Sequence, residues 1–191
     1  MNGIILASGF SRRMGQNKLL MKINEETIIE KVIKEVKKSE IEKIYIVTNN
    51  EEIKSIAYKS DIEVIENKDA IKGQSESIKL AVKEIKENED FMFFCGDQPF
   101  IDFITINNLI NESKKNKNKI IVPIFESRKG NPVIFPENFR LDLLNIEGDV
   151  GGRYIIKSNK DKVVFFEVNK EIFLKDIDNN EEYKEIIKMI K

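Results

Sequence analysis

Ile4-Ile5-Leu6-Ala7-Ser8-Gly9-Phe10-Ser11-Arg12-Arg13-Met14-Gly15-Gln16-Asn17-Lys18 is the stretch on which the reading of this chain turns. Ile4 to Ala7 form a short apolar run with the character of a buried parallel strand. The run breaks into small residues at Ser8, Gly9 and Ser11, then meets cations at Arg12, Arg13 and Lys18. Small residues let backbone N–H groups approach a phosphate closely, and bare amides in such a turn make an anion-binding concavity. Cations a few residues on neutralise the charge that collects there. The stretch therefore points to a triphosphate cradle after the first strand. The alternative is a flexible loop with solvated basic residues.

The spacing is neither that of a P-loop nor Gly-x-Gly-x-x-Gly. Gln16 and Asn17 separate Gly15 from Lys18, and no Ser or Thr follows. It resembles the Gly-x-x-x-Arg-Met-Gly-x-x-Lys signature of nucleotidyltransferases that load CTP or GTP onto molybdopterin. Gly9, Arg13, Met14, Gly15 and Lys18 match it in register, with Ala7 ahead of them. Ser8 departs from both branches of that family, which carry Ala or Gly there.

Composition removes several chemistries. There is no His, so a Ser-His-Asp triad, a His-based zinc site and imidazole acid–base work are excluded. The single Cys, Cys95, permits no intrachain disulfide. Within Phe91-Met92-Phe93-Phe94-Cys95 it reads as a buried core thiol. Carboxylates, Lys, Arg, hydroxyls and a bound divalent metal remain. A net charge of −1 gives no global field toward nucleic acid or a membrane, so an anionic ligand needs a local cluster. Arg is scarce beside Lys and falls at 12, 13, 128, 140 and 153, mostly in stretches singled out on other grounds. Because Arg reads phosphate bidentately, that placement favours phosphate contact. No apolar run approaches the ~20 residues of a membrane span, and the start has no signal-peptide layout. A cytoplasmic protein is expected, with no membrane or nucleic-acid partner.

Helices are predicted at Glu26–Lys38, Glu51–Lys59, from Gln74 or Ser75, at Phe103–Lys114 and at Glu181–Ile190. Shorter helical turns are predicted at Arg140–Ile146 and Tyr154–Ser158. Strands are predicted at Lys43–Thr48, Ile62–Ile65, Phe91–Cys95, Ile120–Ile124, Pro132–Phe135, Val163–Val168 and Ile172–Ile177. Lys114–Lys119 reads as a solvated basic turn. Alternation of strand and helix over the first two thirds predicts a single α/β domain, 1–191. It is a Rossmann-like, doubly wound, mostly parallel sheet in three layers, which the resemblance makes of the nucleotidyltransferase type.

In such sheets ligands sit beyond the carboxyl ends of the strands. Gly96-Asp97-Gln98-Pro99 follows the most apolar strand; it is a turn by composition and a Mg²⁺ site by resemblance. Asp176-Ile177-Asp178 ends a predicted strand, and the resemblance makes Asp178 a second metal ligand; a helix N-cap is its other reading. Asn179-Asn180-Glu181-Glu182 replaces the family's Thr-Pro-Glu-Asp. Gly73-Gln74-Ser75-Glu76-Ser77 opens a helix whose amides suit an anion or a base carbonyl. There the family recognises base and ribose. Ser77, where the guanylyl branch has Gly, implies cytidine, and Gly9-Phe10-Ser11 leans the same way. Lys129 to Val133 and Gly148 to Arg153 resemble the segments that face the second substrate.

The resemblance thus implies a molybdenum cofactor cytidylyltransferase, which transfers CMP from CTP to the terminal phosphate of molybdopterin and releases pyrophosphate. Arg13, Lys18 and Asp97 would carry catalysis. Leu6, Ala7, Ser8, Gly9, Arg13, Lys18, Gly73, Gln74, Ser75 and Ser77 would bind the nucleotide. Asn131, Pro132, Gly148 and Asp149 would bind the acceptor, and Asp97 and Asp178 would hold Mg²⁺. A molybdenum hydroxylase would be a transient partner. Two alternatives stay open. The first is guanylyl or sugar- or polyol-phosphate nucleotidyl transfer on the same fold, and the second is non-catalytic delivery of a finished cofactor.

Overall fold

The computed structural model describes residues 1–9, 14–86, 88–148 and 151–190, with no account of the side chains of residues 189 and 190. Strand β1 (Asn2–Leu6) leads through a 3₁₀ turn (Lys18–Leu20) and a small hairpin, β2 (Lys22–Ile23) and β3 (Glu26–Thr27), to helix α1 (Ile28–Lys38). There follow β4 (Lys43–Thr48), α2 (Glu51–Lys59), β5 (Glu63–Glu66), α3 (Gln74–Glu84), β6 (Phe91–Cys95), α4 (Phe103–Lys115) and β7 (Ile120–Phe125). The chain continues with β8 (Arg128–Lys129), β9 (Val133–Phe135), α5 (Arg140–Leu144), α6 (Arg153–Ser158), β10 (Val163–Glu167) and α7 (Asn180–Ile190).

The main sheet runs β10-β7-β9-β6-β1-β4-β5, with β8 paired to β7. β1 pairs in parallel with both β4 and β6, placing Leu6 beside Val47 on one side and Cys95 on the other. β9 is antiparallel to β6 and β7, and β8 is antiparallel to β7, so the sheet is mixed but mostly parallel. From β1 the chain winds outward to β4 and β5, then returns to β6 on the opposite flank. The order therefore reverses between β1 and β6, which opens a crevice at their carboxyl ends.

Alternation along the strands divides the core in two. Ile5, Ile46, Phe94, Ile121 and Ile134 face one layer, with α1, α2, α4 and α7. Ile4, Val47, Phe93, Val122 and Phe135 face the other, with α3, α5 and α6. The α/β, doubly wound, three-layer expectation is met. Helix α1 shows the local logic: Thr27 and Glu30 form a capping box, and Ile28, Ile29, Val32, Ile33 and Val36 are all buried on one face.

The strand expected at Ile172–Ile177 does not form. Glu171–Leu174 make a 3₁₀ turn that buries the adjacent residues Phe173 and Leu174, which a pleated strand would send to opposite faces. Arg140 is structural. Its guanidinium donates to the carbonyls of Val82, Ile85 and Lys86 at 2.5–3.0 Å, pairs with Glu137 at 2.9 Å and lies 4.9 Å from the Phe91 ring. It thus satisfies the orphan carbonyls at the end of α3. Arg140→Ala should lower stability by about 2–3 kcal/mol, or roughly 4–12 °C of melting temperature. A thermal melt within a degree of wild type would show that water replaces the guanidinium without loss.

Candidate active site

Two cavities open where Leu6 and Cys95 lie side by side. The first, about 640 Å³, is bounded by the segment after β1, by residues 70–74 and by Asp97 and Asp178. The second, about 580 Å³, lies under β7, β9 and α6. They share Leu6, Gln74 and Cys95 as a common wall. Cys95 is therefore only partly buried and lies at the cavity junction, not within the core as expected. Burial and the nearby Asp97 charge push its thiol far above the usual range, so it is a poor nucleophile.

The loop after β1 contributes less than its whole length. Ala7 is 2% exposed; its N–H donates to Val47 O at 2.8 Å, and its carbonyl accepts the Thr48 hydroxyl at 3.0 Å. Ala7 does not line the cavity, because both of its backbone groups are spent on β4. Ser8 lines it, with its hydroxyl bound to Val47 O at 3.0 Å, and Gly9 lines it beside open space. Arg13 and Asp149, together with Phe10 and Ser11, lie outside the described residues.

Gly73 caps α3 at φ +100°, where a side chain would be strained, and puts Gln74 at the junction. Ser75 turns away from the cavity: it is 1% exposed and its hydroxyl donates to Gly148 O. Ser77 lines the cavity and accepts from Asn67 Nδ2 at 2.9 Å, so its own O–H is left to donate. Residues 70–72 add Ile71, 74% exposed at the cavity mouth, and Lys72. Sequence reasoning missed both, because a short loop turn carries no periodic signal.

Asp97 is delivered by a close approach. Gly96 donates to Leu6 O, and a Cβ on Gly96 would meet that oxygen at 3.1 Å and Leu19 Cδ1 at 3.3 Å. Although 176–178 is not the end of a strand, the Ile177 N–H donates to Asp97 O at 3.2 Å, and Ile177 is fully buried. This bond brings Asp178 to Asp97 across 81 positions of chain. Lys18 Nζ lies 2.7 Å from Asp97 Oδ2 and 2.8 Å from Asp178 Oδ1. Burial works against the Lys18 charge, but the two carboxylates hold its ammonium above the usual lysine range. Burial pushes the Asp176 carboxyl up, with Asp178 and Asp97 adding to the effect; it lies 3.8 Å from Arg128, which faces neither cavity.

Two converging carboxylates around one cation suit a hard divalent ion completed by phosphate oxygens. Among the described residues no group of three or more His, Cys, Asp or Glu is gathered for a metal. The pair could thus hold a divalent ion only as a ligand set shared with substrate, not as a closed cage.

The second cavity is cationic and apolar. Lys129, Arg153, Lys157 and Lys160 line it, Phe93 and Phe135 wall it, and among the described residues no carboxylate does. Lys129 Nζ sits 4.8 Å over the ring of Phe165, which is 46% exposed. Of the residues expected at the acceptor, Asn131 lines this cavity; buried Pro132 and exposed Gly148 line neither cavity. Lys157 and Lys160 were missed, yet Arg153, Lys157 and Lys160 recur at one-face helical spacing, a signal present in the sequence. Gly152 brings α6 against the sheet, since a Cβ there would meet Phe135 Cζ at 2.7 Å.

The profile of the MobA-like NTP transferase domain matches residues 3–163. This chain belongs to the MobA-like NTP transferase family. A probable molybdenum cofactor guanylyltransferase of Natranaerobius thermophilus is 37% identical to this MobA-like chain over 127 residues, covering 64% of this chain and 60% of that one. A 3-deoxy-manno-octulosonate cytidylyltransferase of Rickettsia bellii is 31% identical over 129 residues, covering 66% and 53%. The chain spans between 30% and 60% of the length of the curated relatives it matches. The manganese complex of Rv0371c from Mycobacterium tuberculosis shares the MobA-like chain's fold, with a TM-score of 0.83 at 17% identity, covering 98% of this chain and 97% of that one. Among the described residues of this MobA-like chain, no helix is long and apolar enough to cross a membrane.

Proposed function

We propose that residues 1–191 act as one nucleotidyltransferase domain that moves CMP from CTP to the terminal phosphate of molybdopterin, releasing pyrophosphate. The observation that carries this is the pair of cavities meeting at Leu6, Gln74 and Cys95, beside the converging carboxylates of Asp97 and Asp178. A donor in the first cavity and an acceptor in the second are thereby held for direct displacement, with no covalent enzyme intermediate. Catalysis is then positioning and charge stabilisation.

Ser8, Gly9 and the start of α3 hold the nucleotide, and Arg13 and Lys18 offset triphosphate charge. Mg²⁺ held by Asp97 and Asp178 would neutralise phosphate oxygens and leave the α-phosphate open to attack. Asn131 orients the acceptor, while Arg153 and Lys157 attract its phosphate and Phe165 offers a face for its ring system. An acceptor phosphate is already ionised, so no general base is required. A pure delivery protein has no need of the paired carboxylates. Transient contact with a molybdenum hydroxylase would pass the product on.

The base preference rests on Ser77. Its remaining O–H suits a pyrimidine carbonyl, and its side chain narrows the cavity relative to glycine. A guanylyl reading is favoured instead by the relative from N. thermophilus. Pyrophosphate release from CTP and GTP, measured side by side with molybdopterin, decides between them. Ser77→Gly should shift the CTP:GTP ratio of kcat/KM toward GTP by about tenfold or more, and Ser77→Ala separates lost hydroxyl from added room. A wild-type preference for GTP would end the cytidylyl reading and spare the fold.

A further inference from the structure

The geometry points to Lys18 as a resident stand-in for the divalent cation, one that closes the Asp97–Asp178 pair until a triphosphate draws it away. Cation and nucleotide would then enter the cleft together. This rests on the assignment of that pair to a divalent ion under the proposed function.

The two carboxylates cannot separate freely to relieve their repulsion. The Ile177 N–H bond to Asp97 O ties their backbones together, and the Asp178 N–H donates to Glu182 Oε2 at 2.7 Å. A cation between them is therefore favoured, and the Lys18 ammonium takes that place at 2.7 and 2.8 Å. Its backbone is anchored, and its ion pairs with Asp97 and Asp178 need to be exchanged for its head to take a new anion. Asn17 caps the 3₁₀ turn by accepting from the Leu19 N–H, and Leu19 is buried, so a flexible four-carbon stem carries the ammonium from an anchored base. The Lys18 side chain is only 14% exposed.

A divalent ion arriving alone must expel this ammonium from both carboxylates and then face its charge at short range. A triphosphate in the first cavity, which Lys18 also lines, offers the ammonium a new anion. Nucleotide therefore favours metal and, by reciprocity, metal favours nucleotide.

Mn²⁺ binding to the full chain without nucleotide, followed by electron paramagnetic resonance of the free ion, tests this. Lys18→Met should bind Mn²⁺ about tenfold or more tighter than wild type, the scale of one charge-assisted contact. Mn²⁺ should also raise the melting temperature of Lys18→Met at concentrations that leave wild type unmoved. Adding Asp178→Asn to Lys18→Met should abolish both gains. If Lys18→Met does not fold, Lys18→Gln gives the same comparison. Wild type binding Mn²⁺ alone as tightly as either variant would overturn the stand-in and leave the metal assignment standing. No Mn²⁺ bound by any of them, with CTP present or absent, would bring down both.

Discussion

Asp97→Asn is expected to lower turnover by about a hundred- to a thousandfold, the scale on which one preorganised electrostatic group acts on a charged transition state. Its melting temperature should stay within about 4 °C of wild type. The change is isosteric, the Asn oxygen still accepts from Lys18, and Lys18 keeps Asp178 as counter-ion. A stability effect and a catalytic effect are thereby separated in a single variant. A well-folded Asp97→Asn with near-normal turnover would reduce Asp97 to a turn residue and remove the metal site with it.

Arg153→Glu should raise KM for the acceptor by about ten- to a hundredfold, from the loss of a charge-assisted contact and the new repulsion. KM for CTP should be unchanged, because Arg153 lines the second cavity and not the first. Steady-state kinetics with each substrate varied in turn would read this directly. Equal rises in both constants would place the guanidinium on the triphosphate and undo the division of the cleft into donor and acceptor sides.

Much of the fold was legible because it is local. The strands at 43–48 and 91–95 and the helix at 51–59 coincide with the structure residue for residue, since apolar runs, helical spacing and caps sit next to one another in the chain. The hairpin at 22–27 and the two-residue β8 escaped notice, being too short to show a period. The supposed strand at 172–177 failed for a related reason. Its apolar residues answer to packing: Leu174 fits against Gly130, where a Cβ would meet Leu174 Cδ2 at 2.5 Å.

The candidate site was legible as residue types but not as directions. Gly9, Lys18, Gln74, Ser77, Asp97 and Asp178 all line the first cavity. Ala7 and Ser75 stand in equally suggestive motifs and face away from it. A motif records which chemistry is available, whereas strand pairing and helix phase decide where each group points.

By itself the sequence determined the alternation of strands and helices, the absence of imidazole chemistry and the presence of a glycine- and cation-bearing loop after the first strand. These follow from residue identity and near-neighbour spacing. Only the tertiary structure decided that Asp97 and Asp178 share one ammonium, that Leu6, Gln74 and Cys95 stand between two cavities, and that Lys129 joins the cations of residues 153–160 around one of them. Those relations depend on the reversal of strand order between β1 and β6 and on one hydrogen bond from Ile177 to Asp97. Both are contacts between residues far apart in the chain, fixed by burial and by the need to pair every buried backbone group.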